Sequence, residues 1–592
     1  MATNADATAP ATSTPPRNSG LPVDLKSTPH AVGSAVVSEH IDTVGVDVSD
    51  VSPWIERDVR NYEQCGADKM LQQLLEMCID SSQSLPPSQK STLLDSSLDA
   101  VLHLCNESDE AQKIKRHFIK FCDAESEIPS YPDFVQAANC ALRGLRKVDV
   151  PGIPAFQDDD ETNILFHVND PSYIQQEHQG KKSSRKPDVV VVSHQSAADI
   201  IPEGKPKNVY QSACKKPTKD HENFQWTQVR TTFEFKRKKK RLPHPPSTYT
   251  KGYVVPNVLY MNYAKETNAS AKPADPAPAA GPQTSYKKSN ELQNISERLR
   301  SNKRGSDHLS SNQPPNIKRS KQDEEGQSGQ DQGEEEEDEE EDEKKKKPRK
   351  HHPVVQNGLY VAEMFAAHIA RQHVISFIVN NDAIHIWWFD RQHTIQCAGI
   401  NFVQDLPRFV VLLFILQRMG YKQWGLHPLF EPKPGHTGEI IVEYEDNEEK
   451  EDKEKDNRNK DCQHQNKKRI DLTLDLKSDK RMTHFGLRGR ATTVFPVTSK
   501  ALSALPRRSQ FRNQSTKLVA KLFWPEEARQ SEPEILEEVY KVANEDPDVL
   551  GHVPEMVWFY KFEETSTAII RKALGIDDTG SRVLYISRIQ RA

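Results

Sequence analysis

Near the start of the chain, apolar residues recur at three- and four-residue spacing. Met70, Leu71, Leu74, Leu75, Cys78 and Ile79 fall on one helix face. Leu93, Leu94, Leu98, Val101 and Leu102 repeat the pattern after Pro86-Pro87, and Ile114, Phe118, Ile119 and Cys122 repeat it again. A further helix is predicted over 133–145, after Tyr131-Pro132, with the proline where a helix start accepts it. Residues 54–148 thus read as a helical segment suited to a cap or docking surface, with no chemistry in it. Residues 1–53 hold too few large apolar side chains to offset the entropy of ordering, which predicts a disordered tail.

The period then changes to two. The β-branched run Val189-Val190-Val191-Val192 suits a strand buried on both faces. From Val229 to Lys236, alternation puts Phe233 and Phe235 on one side and Glu234 and Lys236 on the other. A helix opening at Gln356 carries Val361, Phe365 and Ile369 on its apolar face. The runs 374–379 and 383–389 flank Asn380-Asn381-Asp382 and read as a hairpin, with Trp387 and Trp388 facing opposite sides. A strand over 394–402 and an apolar helix over 408–419, closed by Gly420, complete the unit. Residues 151–236 with 353–432 are therefore expected to form an α/β core around a mixed sheet.

Polar chain interrupts this core. Residues 237–352 begin with Arg237-Lys238-Lys239-Lys240-Arg241 and include a Pro/Ala-rich stretch over 271–282, Lys303-Arg304, Lys318-Arg319-Ser320-Lys321, an acidic block over 334–343 and Lys344 to Lys347. Blocks of like charge repel and stay solvated, so a disordered insertion is expected, as is a second charged linker over 443–468. The paired basic clusters resemble a nuclear-import signal. The acidic block beside them weakens nonspecific nucleic-acid binding, because it competes for the lysines that neutralise phosphates.

Composition sharpens the picture in three places. Hydrophobic content of 35% and a mean hydropathy of -0.76 mean that much of the chain cannot bury a core. The eight cysteines form no C-x-x-C pair and no Cys/His set at zinc spacing, which argues against structural zinc; five lie in the helical segment, as buried reduced thiols do. No apolar run approaches the roughly 18 residues of a membrane span, and 1–50 lacks the features of a signal peptide. A soluble intracellular protein is expected, in the cytoplasm or, by its basic clusters, the nucleus.

Candidate chemistry lies first in the core. Pro187-Asp188, Glu234-x-Lys236 and Gln356-x-x-x-Tyr360 follow in order on two strands and a helix. Asp188 and Glu234 are hard oxygen ligands suited to Mg²⁺, and Lys236 suits orienting a water or stabilising developing charge. Together they resemble the signature of the PD-(D/E)xK nuclease-like, restriction-endonuclease-like fold, with Gln356 and Tyr360 as the helix motif of one of its branches. The resemblance implies a metal-dependent nucleic-acid enzyme; the same residues also suit a structural ion pair.

The second candidate lies in 470–592. A small-residue turn, His484-Phe485-Gly486-Leu487-Arg488-Gly489-Arg490-Ala491-Thr492-Thr493-Val494, precedes a strand expected to end in Val494. Leu518-Val519-Ala520-Lys521 reads as a buried strand, 532–539 as a helix, and runs at 553–558, 567–571 and 582–586 as the rest of a five-stranded lobe. With Lys521-Leu522-Phe523-Trp524, Ser531-Glu532-Pro533-Glu534, His552-Val553-Pro554, Lys186-Pro187-Asp188, and Trp388 to Ile395 through Gly425-Leu426-His427-Pro428, this region resembles the fungal-type protein kinase family from about Phe166 onward. The resemblance implies ATP and Mg²⁺ as cofactors and protein hydroxyls as substrate. It places Gly489, Thr492 and Val494 in a phosphate-covering loop, Lys521 on the phosphates and Glu534 as the carboxylate holding Lys521.

The chain also departs from that pattern. No His-Arg-Asp follows Lys521, no Asn follows Arg571, and Asp577-Asp578 sit in a turn-like segment. The expectation is a kinase fragment or inactive pseudokinase with exposed apolar surface at Tyr585 and Ile586, the other readings being the nuclease-like module and a non-catalytic scaffold. The fold class expected is multidomain with disordered segments: a helical segment, an α/β mixed-sheet core, then an α+β kinase-like small lobe.

Overall fold

The computed structural model describes residues 45–60, 62–80, 85–202, 208–215, 217, 222–254, 260–261, 263, 351–430, 439–445, 467–474, 485–500, 518–550, 552–578 and 580–590. In chain order the first elements are α1 (Val48–Arg60), β1 (Tyr62–Cys65), α2 (Ala67–Met77), α3 (Leu93–Asn106), α4 (Asp109–Asp123) and α5 (Tyr131–Leu145). Then come β2 (Ile164–Val168), β3 (Ile174–His178), β4 (Lys181–Arg185), β5 (Val189–Ser193) and β6 (Val229–Lys236). The core closes with α6 (Pro353–Ala367), β7 (His373–Asn380), β8 (Ala383–Asp390), β9 (Thr394–Cys397), β10 (Ile400–Asn401) and α7 (Leu406–Arg418).

Local sequence accounts for several boundaries. The Ser108 hydroxyl caps α4 by accepting from Ala111 N. Pro132 sits in the first turn of α5, where its missing N–H costs nothing. Asn381, at a φ of 58°, turns the chain between β7 and β8 in the left-handed region that Asn tolerates.

The strands form one mixed sheet in the order β1-β9-β8-β7-β6-β5-β2, with β10 added on β8. β2, β5 and β6 run antiparallel. The chain then crosses through α6 so that β7 lies parallel to β6, with Glu234 in register with Ile378. One face of the sheet, with Phe233, Phe235 and Trp388, packs on α2, α3, α4, α5 and α7. The other face, with Val190, Val192 and Trp387, packs on α1 and α6. The helical segment is thus one layer of a three-layer α/β/α body, and it contributes the edge strand β1, parallel to β9.

The second sheet comprises β11 (Glu439–Glu445), β12 (Lys467–Leu474), β13 (Thr493–Thr498), β14 (Leu518–Phe523), then α8 (Glu532–Glu545), β15 (Met556–Phe562), α9 (Ala568–Leu574) and β16 (Leu584–Gln590). Its order is β11-β12-β13-β14-β16-β15, antiparallel throughout. Phe495, Val497, Ala520, Leu522, Leu584 and Ile586 line one face and cluster with Phe430, while Ile369, Ala370 and Leu429 of the α/β body pack against them.

Several boundaries differ from expectation. The expected tail ends earlier: α1 starts at Val48 because Val46, Val51 and Ile55 bury against the sheet. The expected solvated insertion starts later, since 237–254 packs on the helices with Leu242 and Tyr249 buried. There Leu242 N donates to Cys122 O, and Tyr249 exchanges bonds with the Asn106 side chain. The ends of the expected second linker are paired strand, with Glu443 opposite Arg469 and Glu445 opposite Lys467. The small-lobe sheet has six strands where five were expected, and Val494 lies near the start of its strand, because the preceding loop ends at Thr492. Ile586 is buried at 1% exposure, since alternation along β16 turns it to the α/β body while Tyr585 faces the other way. The remaining disorder and nuclear-signal expectations, for 1–44, 264–350 and 446–466, fall outside the described residues. Among the described residues no helix is long and apolar enough to cross a membrane, and the seven described cysteines are free thiols.

Candidate functional site

Alternation on β6 points Glu234 away from the phenylalanines, toward α6. Asp188 precedes β5, which pairs with β6, so its Oδ2 accepts from Phe235 N at 2.8 Å. Lys236 Nζ bonds Glu234 Oε1 at 2.5 Å. From α6, the Tyr360 hydroxyl lies 3.0 Å from Glu234 Oε2 and 3.0 Å from Lys186 O, and accepts from Gln356 Nε2 at 2.8 Å. The residues singled out in the α/β core therefore meet in one hydrogen-bonded cluster, built from segments far apart in the chain.

Two further residues join it. Glu127, from the turn before α5, accepts from Arg237 N at 3.0 Å and from the Tyr131 hydroxyl at 3.1 Å, and its Oε1 lies 3.8 Å from Lys236 Nζ. An acidic residue just ahead of a helix start was the available signal, and a weak one. Burial pushes the Asp188 carboxyl up to about 6, despite the Phe235 N–H and the nearby Lys236 charge. Burial also raises Glu234 well above the usual carboxylate range, with the Asp188 charge adding to it and Lys236 opposing. For Lys236, burial acts downward, but Glu234 outweighs it and leaves the ammonium above its ordinary value. The cluster thus gathers three carboxyl groups, Glu127, Asp188 and Glu234, around the one ammonium of Lys236.

Its fit to a metal is partial. Both Glu234 oxygens and Asp188 Oδ2 already accept bonds. Among the described residues no group of three or more His, Cys, Asp or Glu side chains is arranged to hold a metal ion. Mg²⁺ keeps several waters and takes as few as one or two carboxylates, so Asp188 and Glu234 are sufficient in kind. A cavity of about 340 Å³ beside the β3–β4 hairpin, walled by Gln176, His178 and Trp226, includes none of these residues.

In the small lobe, Lys521 lies mid-strand on β14, opposite Val494 of β13 and Ser587 of β16. Its Nζ bonds both carboxylate oxygens of Glu532, at 2.7 and 2.6 Å. The expected partner, Glu534, is engaged elsewhere: its Oε2 accepts from Ser531 N at 2.7 Å while Ser531 Oγ accepts from Glu534 N, a capping box at the start of α8. The carboxylate that meets Lys521 belongs to the first residue of the helix.

The loop before β13 is fastened to the α/β body. Phe485 and Leu487 bury in its core, with Phe485 edge-on to His178 at 4.6 Å. Arg488 Nε bonds Asp58 Oδ1 at 2.9 Å. Gly489, at a φ of 104° that favours glycine, donates its N–H to Arg391 O at 2.9 Å, and Arg391 Nη1 returns a bond to Gly486 O at 3.0 Å. The Gly489 N–H is therefore committed to a carbonyl, and a nucleotide phosphate would have to displace it. Thr492 and Val494 continue this loop into β13, with Val494 beside Lys521.

α9 makes the deepest joint between the two parts. Arg571, with 0% side-chain exposure, reaches Asp390 at the end of β8 with Nη1–Oδ2 2.6 Å and Nη2–Oδ1 3.2 Å. Gln392 adds bonds to Thr567 and Asp578. Asp578, expected in a turn unsuited to a metal, is thereby assigned a contact in this joint.

No curated protein and no solved structure matches the chain. One family does match in part, over a span that begins before α6 and ends past α9: it takes in Gln356, Tyr360, Gly489, Lys521 and Glu532 and leaves out Asp188, Glu234 and Lys236. Residues 319–579 match the family described as Fungal protein kinase, which supports a kinase-like function at the level of that family.

Proposed function

We propose that the small lobe is the nucleotide-gripping part of a fungal-type protein kinase. The Lys521–Glu532 pair carries the reading, set on the strand beside Val494 in an antiparallel sheet whose helix is inserted between β14 and β15. Lysine and carboxylate on strand and helix are the parts with which kinases hold the α/β-phosphates of ATP. Lys521 would contact those phosphates, Glu532 would orient Lys521, and Val494 would lie under the base. ATP with its Mg²⁺ supplies the transferable phosphoryl group when bound. The stretch 521–592 has no His-Arg-Asp, so its own residues bind and orient rather than transfer. The test is thermal unfolding of the full chain with ATP and Mg²⁺: nucleotide at 100 times its Kd stabilises by about 2.7 kcal/mol. Lys521→Ala should abolish that gain, and an equal gain in wild type and variant would reject the reading.

The assembled cluster of Asp188, Glu234, Lys236, Gln356 and Tyr360 favours a second reading, a metal-dependent phosphodiester site of the PD-(D/E)xK-like type acting on nucleic acid. The support is the convergence of these residues on the succession α5-β2-β5-β6-α6-β7, together with the raised carboxylates that a cation would relieve. Asp188 and Glu234 would hold Mg²⁺, whose role is to lower the pKa of a bound water. Lys236, freed from Glu234, would face the developing charge, and Tyr360 with Gln356 would fix Glu234. Mg²⁺ or Mn²⁺ should raise the melting temperature of wild type and not of Glu234→Gln. No metal-induced shift in either would leave the cluster a structural ion network.

A further inference from the structure

Lys236 is followed at once by Arg237-Lys238-Lys239-Lys240-Arg241. Lys238, Lys239, Lys240 and Arg241 are exposed, and among the described residues none of the four makes an ion pair. Their backbone, by contrast, is fixed. Asn381 at the β7–β8 turn donates its N–H to Lys236 O at 2.8 Å, while its Oδ1 accepts from Lys238 N at 2.9 Å and from Lys239 N at 3.0 Å. Arg237 is the anchor on one side: its Nη1 and Nη2 bond the carbonyls of Phe121 and Cys122 at the end of α4, and its guanidinium lies over the Phe121 ring. Leu242 is the anchor on the other, buried with its N–H on Cys122 O. Of the acidic side chains beside Arg237, Asp123 bonds His244 Nε2 at 2.8 Å and Asp382 accepts from Asn401 Nδ2 at 2.9 Å.

Four cations with free heads on a backbone held at both ends make a preorganised ribbon, and one that loses little entropy on binding. We propose that Lys238, Lys239, Lys240 and Arg241 form a binding surface for the sugar-phosphate backbone of nucleic acid, leading a bound strand to the Asp188, Glu234 and Lys236 cluster. Charge complementarity selects a polyanion, and the direct continuity of the ribbon with Lys236 selects one carrying phosphodiesters along its length. The anchored backbone argues against its being read as a free peptide by an import receptor, since Asn381 and Cys122 already take its N–H groups. The destination of the strand rests on the phosphodiester reading of the cluster; the binding does not.

The experiment is fluorescence anisotropy of labelled single-stranded DNA, duplex DNA and RNA oligomers with the full chain in EDTA, over a salt series. Neutralising four phosphates contributes about 0.7 to 0.9 per contact to the slope of log K against log salt. The variant K238A/K239A/K240A/R241A should therefore flatten that slope by about three, with an unchanged circular dichroism spectrum because the four side chains are exposed. Asn381→Gly keeps the turn but removes the clamp, and should weaken binding with the slope retained. An unchanged slope in the quadruple variant would overturn the proposal, as would loss of binding to phosphatidylserine vesicles without loss of binding to nucleic acid. Because the titrations are run in EDTA, an unchanged slope in the quadruple variant is failure of the ribbon alone, whereas a flattened slope with no Mg²⁺-dependent cleavage is failure of the catalytic reading alone.

Discussion

Replacing Arg571 by Met tests whether the kinase-like lobe and the α/β body behave as one cooperative unit. The methionine fills most of the arginine's volume and removes both bonds to Asp390. Removing one partner of a buried ion pair costs about 3–5 kcal/mol, because the other charge is left in a poor dielectric. Here the stranded Asp390 still accepts from Trp388 Nε1 and from the N–H groups of Gln392 and His393, which places the cost near the low end, about 3 kcal/mol. Asp390→Asn should cost a similar amount, about 3 kcal/mol, since it leaves the guanidinium with Thr567 O and the Glu63 carboxylate 3.4 Å from Nε. The pair should couple by at least about 2 kcal/mol in a double-mutant cycle. Urea unfolding followed by tryptophan fluorescence reads both parts, because Trp388 lies in one and Trp524 in the other. A single wild-type transition should split in two once the joint is cut. If Arg571→Met unfolds within about 1 kcal/mol of wild type in one transition, the joint does not couple the lobes.

Acid should unfold the protein steeply. Burial holds His373, His385 and His427 at about 4, and the unfolded chain takes up those protons near 6.5, so the stability they provide above pH 6.5 is lost as pH falls through 4. Three such groups give up to about 4 kcal/mol per pH unit in that window, measurable as a pH series of urea midpoints, and a flat series would refute their neutral burial. Gly425→Ala should destabilise by more than about 2 kcal/mol, because its φ is +80° and an added Cβ would sit 2.1 Å from His373 O; a melting temperature equal to wild type would contradict that contact. Glu534→Ala should cost about 1 kcal/mol as a lost cap and leave nucleotide-induced stabilisation in place, whereas Glu532→Ala should remove most of that stabilisation. The reverse ranking would restore Glu534 as the lysine's partner.

The α/β core was the most legible part because strand alternation is a local property: the split between Phe233 with Phe235 and Glu234 with Lys236 follows from period two alone, whatever the chain does elsewhere. What periodicity could not report was pairing. Nothing local says that Tyr62 to Cys65 joins β9 as an edge strand, or that charged residues at 443–445 and 467–468 face each other in a ladder. The exchange of Glu534 for Glu532 was legible but misread. Ser531-x-x-Glu534 is a capping-box pattern, which turns the glutamate back to its own helix start and away from a lysine on a strand. The loop at 486–490 is ambiguous for a different reason: its glycines suit a phosphate cradle and a tight docking turn alike, and its bonds to Arg391, far off in sequence, are invisible to local pattern.

The rings of Tyr263 and His352 meet at a tilt of 49° with centroids 4.5 Å apart. The described residues on either side of 264–350 are therefore held beside each other. That contact holds the two flanks together independently of the pairing of β6 with β7. For the bench worker it marks where a short glycine–serine bridge could replace the intervening residues while keeping Tyr263 beside His352.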